Sequence, residues 1–141
     1  MQLRMPAQNG GVPLHHKRAG NRLEALLQTG ELDEARTIAH EILEVGTRLE
    51  PSRLYTALDA MAHLACAEKH YAAAARIAAC ADAAYALHGQ GERRLTEARL
   101  RSQIHADLER ELGSGWQESA VDPRRPLDER GACALALGLT L

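Results

Sequence analysis

Apolar residues recur at three- and four-residue intervals along most of the chain, a spacing that predicts helices. The first helix starts near Leu14, carries Leu23, Leu26 and Leu27 on one face and stops at Gly30. The second carries Leu32, Ala35, Ile38, Ala39, Ile42, Val45 and Leu49. Glu31, Asp33 and Glu34 load its first turn with the negative charge a helix N-terminus favours, and Pro51 ends it. Ser52 is the expected N-cap of a third helix bearing Leu54, Ala57, Leu58, Met61, Ala62 and Ala65. After a break at Glu68-Lys69-His70, a fourth runs from Tyr71 through Ala74, Ile77, Ala78, Ala81, Ala84 and Tyr85 to a stop at Gly89 and Gly91. A fifth uses Leu100, Ile104, Leu108 and Leu112 as its seam and closes at Gly113. A short helical turn around Trp116, a loop at Asp122 to Pro126 and a last helix from Leu127 to Leu137 complete the pattern. No window alternates long enough to predict a strand.

Ahead of this pattern, Pro6, Asn9, Gly10, Gly11 and Pro13 interrupt any helix, so residues 1–13 are expected to form a flexible lead-in and 14–141 the folded domain. Met5 could serve as an alternative start. The lead-in holds no apolar run of the length a signal peptide or membrane span needs.

The pattern repeats. A shift of 39 residues places Leu32 on Tyr71, Ala35 on Ala74, Ile38 on Ile77 and Ala39 on Ala78, and in the preceding helices Leu23 on Ala62 and Leu26 on Ala65. The expected architecture is all-α, with a helical hairpin that occurs twice.

Composition narrows the reading. Of 141 residues 45% are hydrophobic but only 3% aromatic, with no Phe, so Ala and Leu must build the core and helices must pack closely. A net charge of -2 without a dense basic run argues against direct nucleic-acid binding. Cys66, Cys80 and Cys133 are odd in number and widely spaced, which fits reduced thiols in a cytoplasm.

The run Leu26-Leu27-Gln28-Thr29-Gly30-Glu31-Leu32-Asp33-Glu34-Ala35 resembles the turn and close-crossing Ala of a tetratricopeptide repeat, although the period of 39 exceeds that repeat's usual value of about 34 and its Trp and Pro positions are not filled. Together with the block AMAHLACAEKHYAAAARIAACADA and the ending LGSGWQESAVDPRRPLDERGACALAL, it makes Leu23 to Leu139 similar to the C-terminal helical repeats of large bacterial signal-transducing ATPases and LuxR-type or antibiotic-regulatory transcription factors. The resemblance implies a right-handed α-solenoid of about two and a half hairpins acting as a sensing or scaffold arm. Neither a GxxxxGK[ST] loop nor a basic recognition helix accompanies it, so a free-standing arm, a remnant and an excised domain all stay open.

In such arrays the first helix of each hairpin lines the inner groove. Mapping the non-core positions selects Lys17, Glu24 and Gln28, then Thr56, Asp59 and His63, as a mixed polar surface for an extended peptide or a partner helix; ordinary solvent exposure is the plain alternative. His63 and Cys66, with Cys80 or His70, are the candidate soft metal ligands. They lack a CxxC or HExxH spacing, and small buried thiols explain them as well, so no metal or cofactor is expected. His15-His16 is weaker still. Arg93, Arg94, Arg99 and Arg101 alternate with Glu92 and Glu97, and Glu97 stands four residues from both Arg93 and Arg101, which predicts a self-neutralised solvated face. Carboxylates and histidines are scattered on helix faces rather than paired in a pocket, so catalysis is not expected. The apolar Leu137, Leu139 and Leu141 and the neighbouring Trp116 suggest a surface meeting another subunit or domain, including a homodimer. The expected function is a non-enzymatic protein-interaction module, with an effector-sensing small-molecule domain and a self-associating structural unit as alternatives.

Overall fold

The structure is a computed structural model that describes residues 12–49, 51–88, 93 and 95–138. Among the described residues there are seven α-helices and no strand: α1 (Val12–Gln28), α2 (Leu32–Leu49), α3 (Leu58–Ala67), α4 (Tyr71–His88), α5 (Leu95–Leu112), α6 (Trp116–Ala120) and α7 (Glu129–Ala136). No described helix is long and apolar enough to cross a membrane.

Two starts differ from the sequence expectation. Pro13 lies in the first turn of α1 instead of breaking it, because a residue there has no intrahelical partner for the N–H that proline lacks. The third helix opens as a 3-10 segment, Pro51–Ala57. Ser52 therefore lies inside that segment, and the N-cap position of α3 falls to Ala57, which makes no side-chain cap. The remainder of the lead-in, residues 1–11, and the expected stops at Gly89 and Gly91 lie outside the described residues.

The two hairpins, α1–α2 and α3–α4, turn in the same way. At the first turn Glu31 N–H donates to the Leu26 carbonyl at 2.9 Å and Gly30 N–H to that of Leu27 at 3.3 Å, with Gly30 at φ 77°. At the second, His70 N–H donates to Ala65 at 2.8 Å and Lys69 N–H to Cys66 at 2.9 Å, with Lys69 at φ 65°. Each is the six-to-one plus five-to-two bonding that satisfies a helix's last carbonyls through a left-handed residue. Every atom pair of the second turn lies one repeat beyond its counterpart in the first.

Helix α3 is the centre of the molecule. Every residue from Leu58 to Cys66 is buried, because α1, α2, α4, α5 and α7 all pack on it. Alanine makes this approach close: Ala35, Ala62, Ala65, Ala74 and Ala81 are fully buried. α5 crosses α3 and α4 through Leu100, Ile104 and Leu108; Leu112, expected in that seam, is exposed. α7 returns over α2, α3 and α4, and among the described residues it touches neither α5 nor α6, so no third hairpin forms. Trp116 and Leu137, expected on an outer surface, are buried in the core; Leu139 and Leu141 lie outside the described residues.

Candidate functional site

Thr56, Asp59 and His63 fall on one side of the segment leading into and along α3, at the spacing that aligns side chains on a helix. The sequence reading made them an open groove. In the structure Asp59 and His63 are buried, and partners within the chain cover both. His63 Nδ1 stands 3.0 Å and 3.1 Å from the two carboxylate oxygens of Glu24 on α1. Gln28, one turn further along α1, donates to Glu24 Oε2 at 3.0 Å and remains exposed. Lys17 lies in α1, with its side chain outside the described residues.

Asp59 anchors a larger network. Arg93 reaches it through Nε at 2.8 Å and Nη2 at 3.2 Å, the two-pronged geometry a guanidinium makes with a carboxylate. The same Nη2 donates to Asp82 on α4 at 2.9 Å. Asp82 also takes Arg101 Nε at 2.8 Å and Nη2 at 3.0 Å, and His105 Nε2 stands 3.5 Å from it. Arg93 lies 4.2 Å above the ring of Tyr85, whose edge meets Tyr55. Trp116 packs edge-on against His105, tying α6 to the network.

These contacts correct the expected pairing of Arg93 and Arg101 with Glu97. Both arginines turn inward to aspartates on neighbouring helices, and Glu97 is left with a buried oxygen that has no hydrogen-bond partner. A charge on the far side of a helix loses less by reaching across to a buried carboxylate than that carboxylate would lose unpaired. Arg94 and Glu92 lie outside the described residues.

The two aspartates respond in opposite directions. Burial drives the Asp59 carboxyl above its ordinary range, against the opposing pull of Arg93. Burial also acts on Asp82, but the close approach of His105, the hydrogen bonds from Arg101 and the charges of Arg101 and Arg93 overcome it and hold that carboxyl well below the usual range. Tyr85 is raised by burial and by the nearby Asp59 and Glu97 charges, so its hydroxyl stays protonated.

The candidate metal ligands are dispersed into other work. His63 faces Glu24; Cys80 donates to the Leu127 carbonyl at 3.3 Å; His70 is exposed beside Glu68; Cys66 is buried. Among the described residues no group of three or more His, Cys, Asp or Glu is placed to hold a metal ion. Burial raises all the thiols: Cys66 and Cys133 to about 12 and Cys80 to about 11. The side chains of His15 and His16 lie outside the described residues.

The sequence reading missed Asp82 and Arg36. Asp82 is the sole carboxylate in α4, a helix otherwise mostly Ala, and that single carboxylate was the available signal. Arg36 on α2 binds both oxygens of Glu68 at 2.8 Å and 3.1 Å and also caps α7 by donating to the Leu137 carbonyl at 2.7 Å. No family model, curated protein or solved structure matches the chain.

Proposed function

We propose that this domain is a tetratricopeptide-like array of helical hairpins that works as a non-enzymatic protein-interaction arm of a bacterial transcription regulator. The carrying observation is the contact between equivalent positions of successive hairpins: Glu24 and His63 are separated by 39 residues, the repeat period, and bond to one another. Parallel stacking of like helices puts like positions face to face, which is how a repeat array grows. Asp59 and His63 form the buried floor that ties α3 to α1 and to the segment leading into α5. Glu24 and Gln28 stand at the rim, where a peptide or helix meets the domain. The regulatory setting rests on the resemblance of the repeats and of the C-terminal segment.

Co-expression with the products of adjacent reading frames tests this reading. A stoichiometric complex with an ATPase or DNA-binding partner, weakened by Gln28→Arg without loss of helicity, is the expected result. A monodisperse free chain in the presence of every such neighbour would overturn it.

A further inference from the structure

Between α6 and α7 the chain turns on Asp122-Pro123-Arg124-Arg125-Pro126, and every residue from 121 to 126 is exposed. Arg125 N–H donates to the Asp122 carbonyl at 3.0 Å and Arg124 N–H to Asp122 Oδ1 at 3.0 Å. Aspartate first and proline second is the chemistry that closes such a turn, and Pro126 stiffens its exit. The turn therefore holds two consecutive arginines in one fixed place. Arg76 on α4 joins them, its Nη2 donating to the Arg125 carbonyl at 3.4 Å.

The acids of this segment are already engaged. Asp122 and Asp128 accept from backbone N–H groups at 3.0 Å and 2.7 Å, and Glu129 faces His88 at 3.1 Å. Arg36, Arg93, Arg101 and Arg110 each hold a carboxylate of the chain. Among the described residues Arg76, Arg124 and Arg125 hold none. Three arginines without a carboxylate thus share one corner of a chain whose net charge is -2. A guanidinium grips a carboxylate through two parallel N–H bonds, and charges left at a surface act chiefly by attracting and orienting a partner of opposite sign.

We propose that the corner formed by Arg76, Arg124 and Arg125 is a docking surface for a carboxylate-rich segment of a partner protein. A short acidic run fits its size. The cations span one turn and the adjoining helix, whereas a nucleic-acid backbone is held by longer rows of basic residues. Among the described residues α1 does not pack on α4, so the corner is separate from the Glu24 and Gln28 rim and does not depend on the partner proposed there.

Titrating the isotope-labelled intact chain with a hexaglutamate peptide tests this without any substitution. The expected result is amide shifts concentrated at Arg76, Asp122, Arg124 and Arg125 that fade as salt is raised. Arg124→Ala with Arg125→Ala should keep wild-type helicity and lose about tenfold in affinity, the factor that two exposed charge contacts supply. Arg99→Ala, at an exposed arginine of α5, should bind as wild type does. Shifts as large at the exposed Arg22, Arg48 and Arg99 as at this corner would overturn the proposal, and so would unchanged affinity in the double variant. Tighter binding of a thymidine oligonucleotide of equal charge through the same residues would also overturn it, by assigning the corner to nucleic acid.

Discussion

Glu24 and His63 occupy the same position in successive hairpins, and they bond to each other across 39 residues of sequence at 3.0 Å. Both side chains are largely withdrawn from water, so each is the other's principal polar partner. The pair therefore sets the register of α1 against α3. It also explains why a repeat visible as an apolar spacing produces a defined stack: a polar contact between the hairpins, joined by Arg36 with Glu68, opposes slip along the helix.

Removing one partner should cost more than removing both. His63→Ala leaves the partly buried Glu24 carboxylate with only the exposed Gln28 bond among the described residues, at about 1–3 kcal/mol. His63→Leu with Glu24→Leu together should recover part of that loss. Urea unfolding of the single and double variants measures the coupling, and additive losses would show that the contact contributes nothing of its own.

Acid should unfold the protein partly through Asp82. Its carboxyl lies well below its ordinary value of 3.8 when folded, so it favours the folded state at neutral pH and that stability is lost as pH falls below the ordinary value. Asp59 is raised and has the opposite slope, which makes single substitutions informative. Asp82→Asn should be less stable at neutral pH and lose less on acidification from about pH 5 to pH 2. Unfolding midpoints across that range check it; parallel acid limbs for variant and wild type would count against the assignment.

Helix positions were legible because each buried stripe keeps a helical period: Ile38, Ile42, Leu54, Leu58, Ile77 and Leu108 are all inside as the spacing requires. The floor of the candidate site was less legible. Asp59 and His63 were readable as one stripe, but their burial depends on Arg93 and Glu24, which arrive from other elements. Periodicity reports which side of a helix a residue occupies, not whether a charged chain from elsewhere covers that side. The same limit misplaced Arg93 and Arg101, since spacing of four made Glu97 their nearest partner along the helix while Asp82 stands closer in space. Leu127 to Leu137 read correctly as a terminal helix, yet nothing local says that it crosses back to α2.

Ala74 should tolerate no larger side chain. It is fully buried in α4, whereas Ala72 two residues earlier is exposed. Ala74→Leu is expected to cost about 1–3 kcal/mol by overpacking. Ala72→Leu should fall within about 0.5 kcal/mol of wild type. Thermal melts of the two variants compare them directly, and equal melting temperatures would place Ala74 away from a close crossing.

The thiols should react in a fixed order. Cys66 and Cys133 are buried and raised to about 12, so neither supplies thiolate near neutral pH. Cys80 is raised to about 11 but is partly exposed, so it reacts first and slowly. A chromogenic disulfide reagent should titrate no thiol quickly in the folded protein and all of them in denaturant. Rapid native labelling of Cys133 would show that α7 leaves its seat readily.

Lys69 carries a conformational cost that its counterpart Gly30 avoids. Both are left-handed residues of equivalent turns, at φ 65° and 77°, and a side chain in that region costs about 1–2 kcal/mol. Glycine removes the cost but gains freedom in the unfolded chain, about 0.5–1 kcal/mol in opposition, so Lys69→Gly should stabilise by about 0.5–1 kcal/mol. Lys69→Ala keeps the Cβ and should bring no such gain, which separates backbone strain from any effect of the ammonium group. The converse holds at the first turn: a Cβ on Gly30 would meet nothing within 4 Å, so the loss in Gly30→Ala is conformational rather than steric crowding by neighbours. Urea midpoints at unchanged slope measure all three variants. If Lys69→Gly melts below wild type while Gly30→Ala melts with it, the two turns do not share the backbone geometry that the repeat requires.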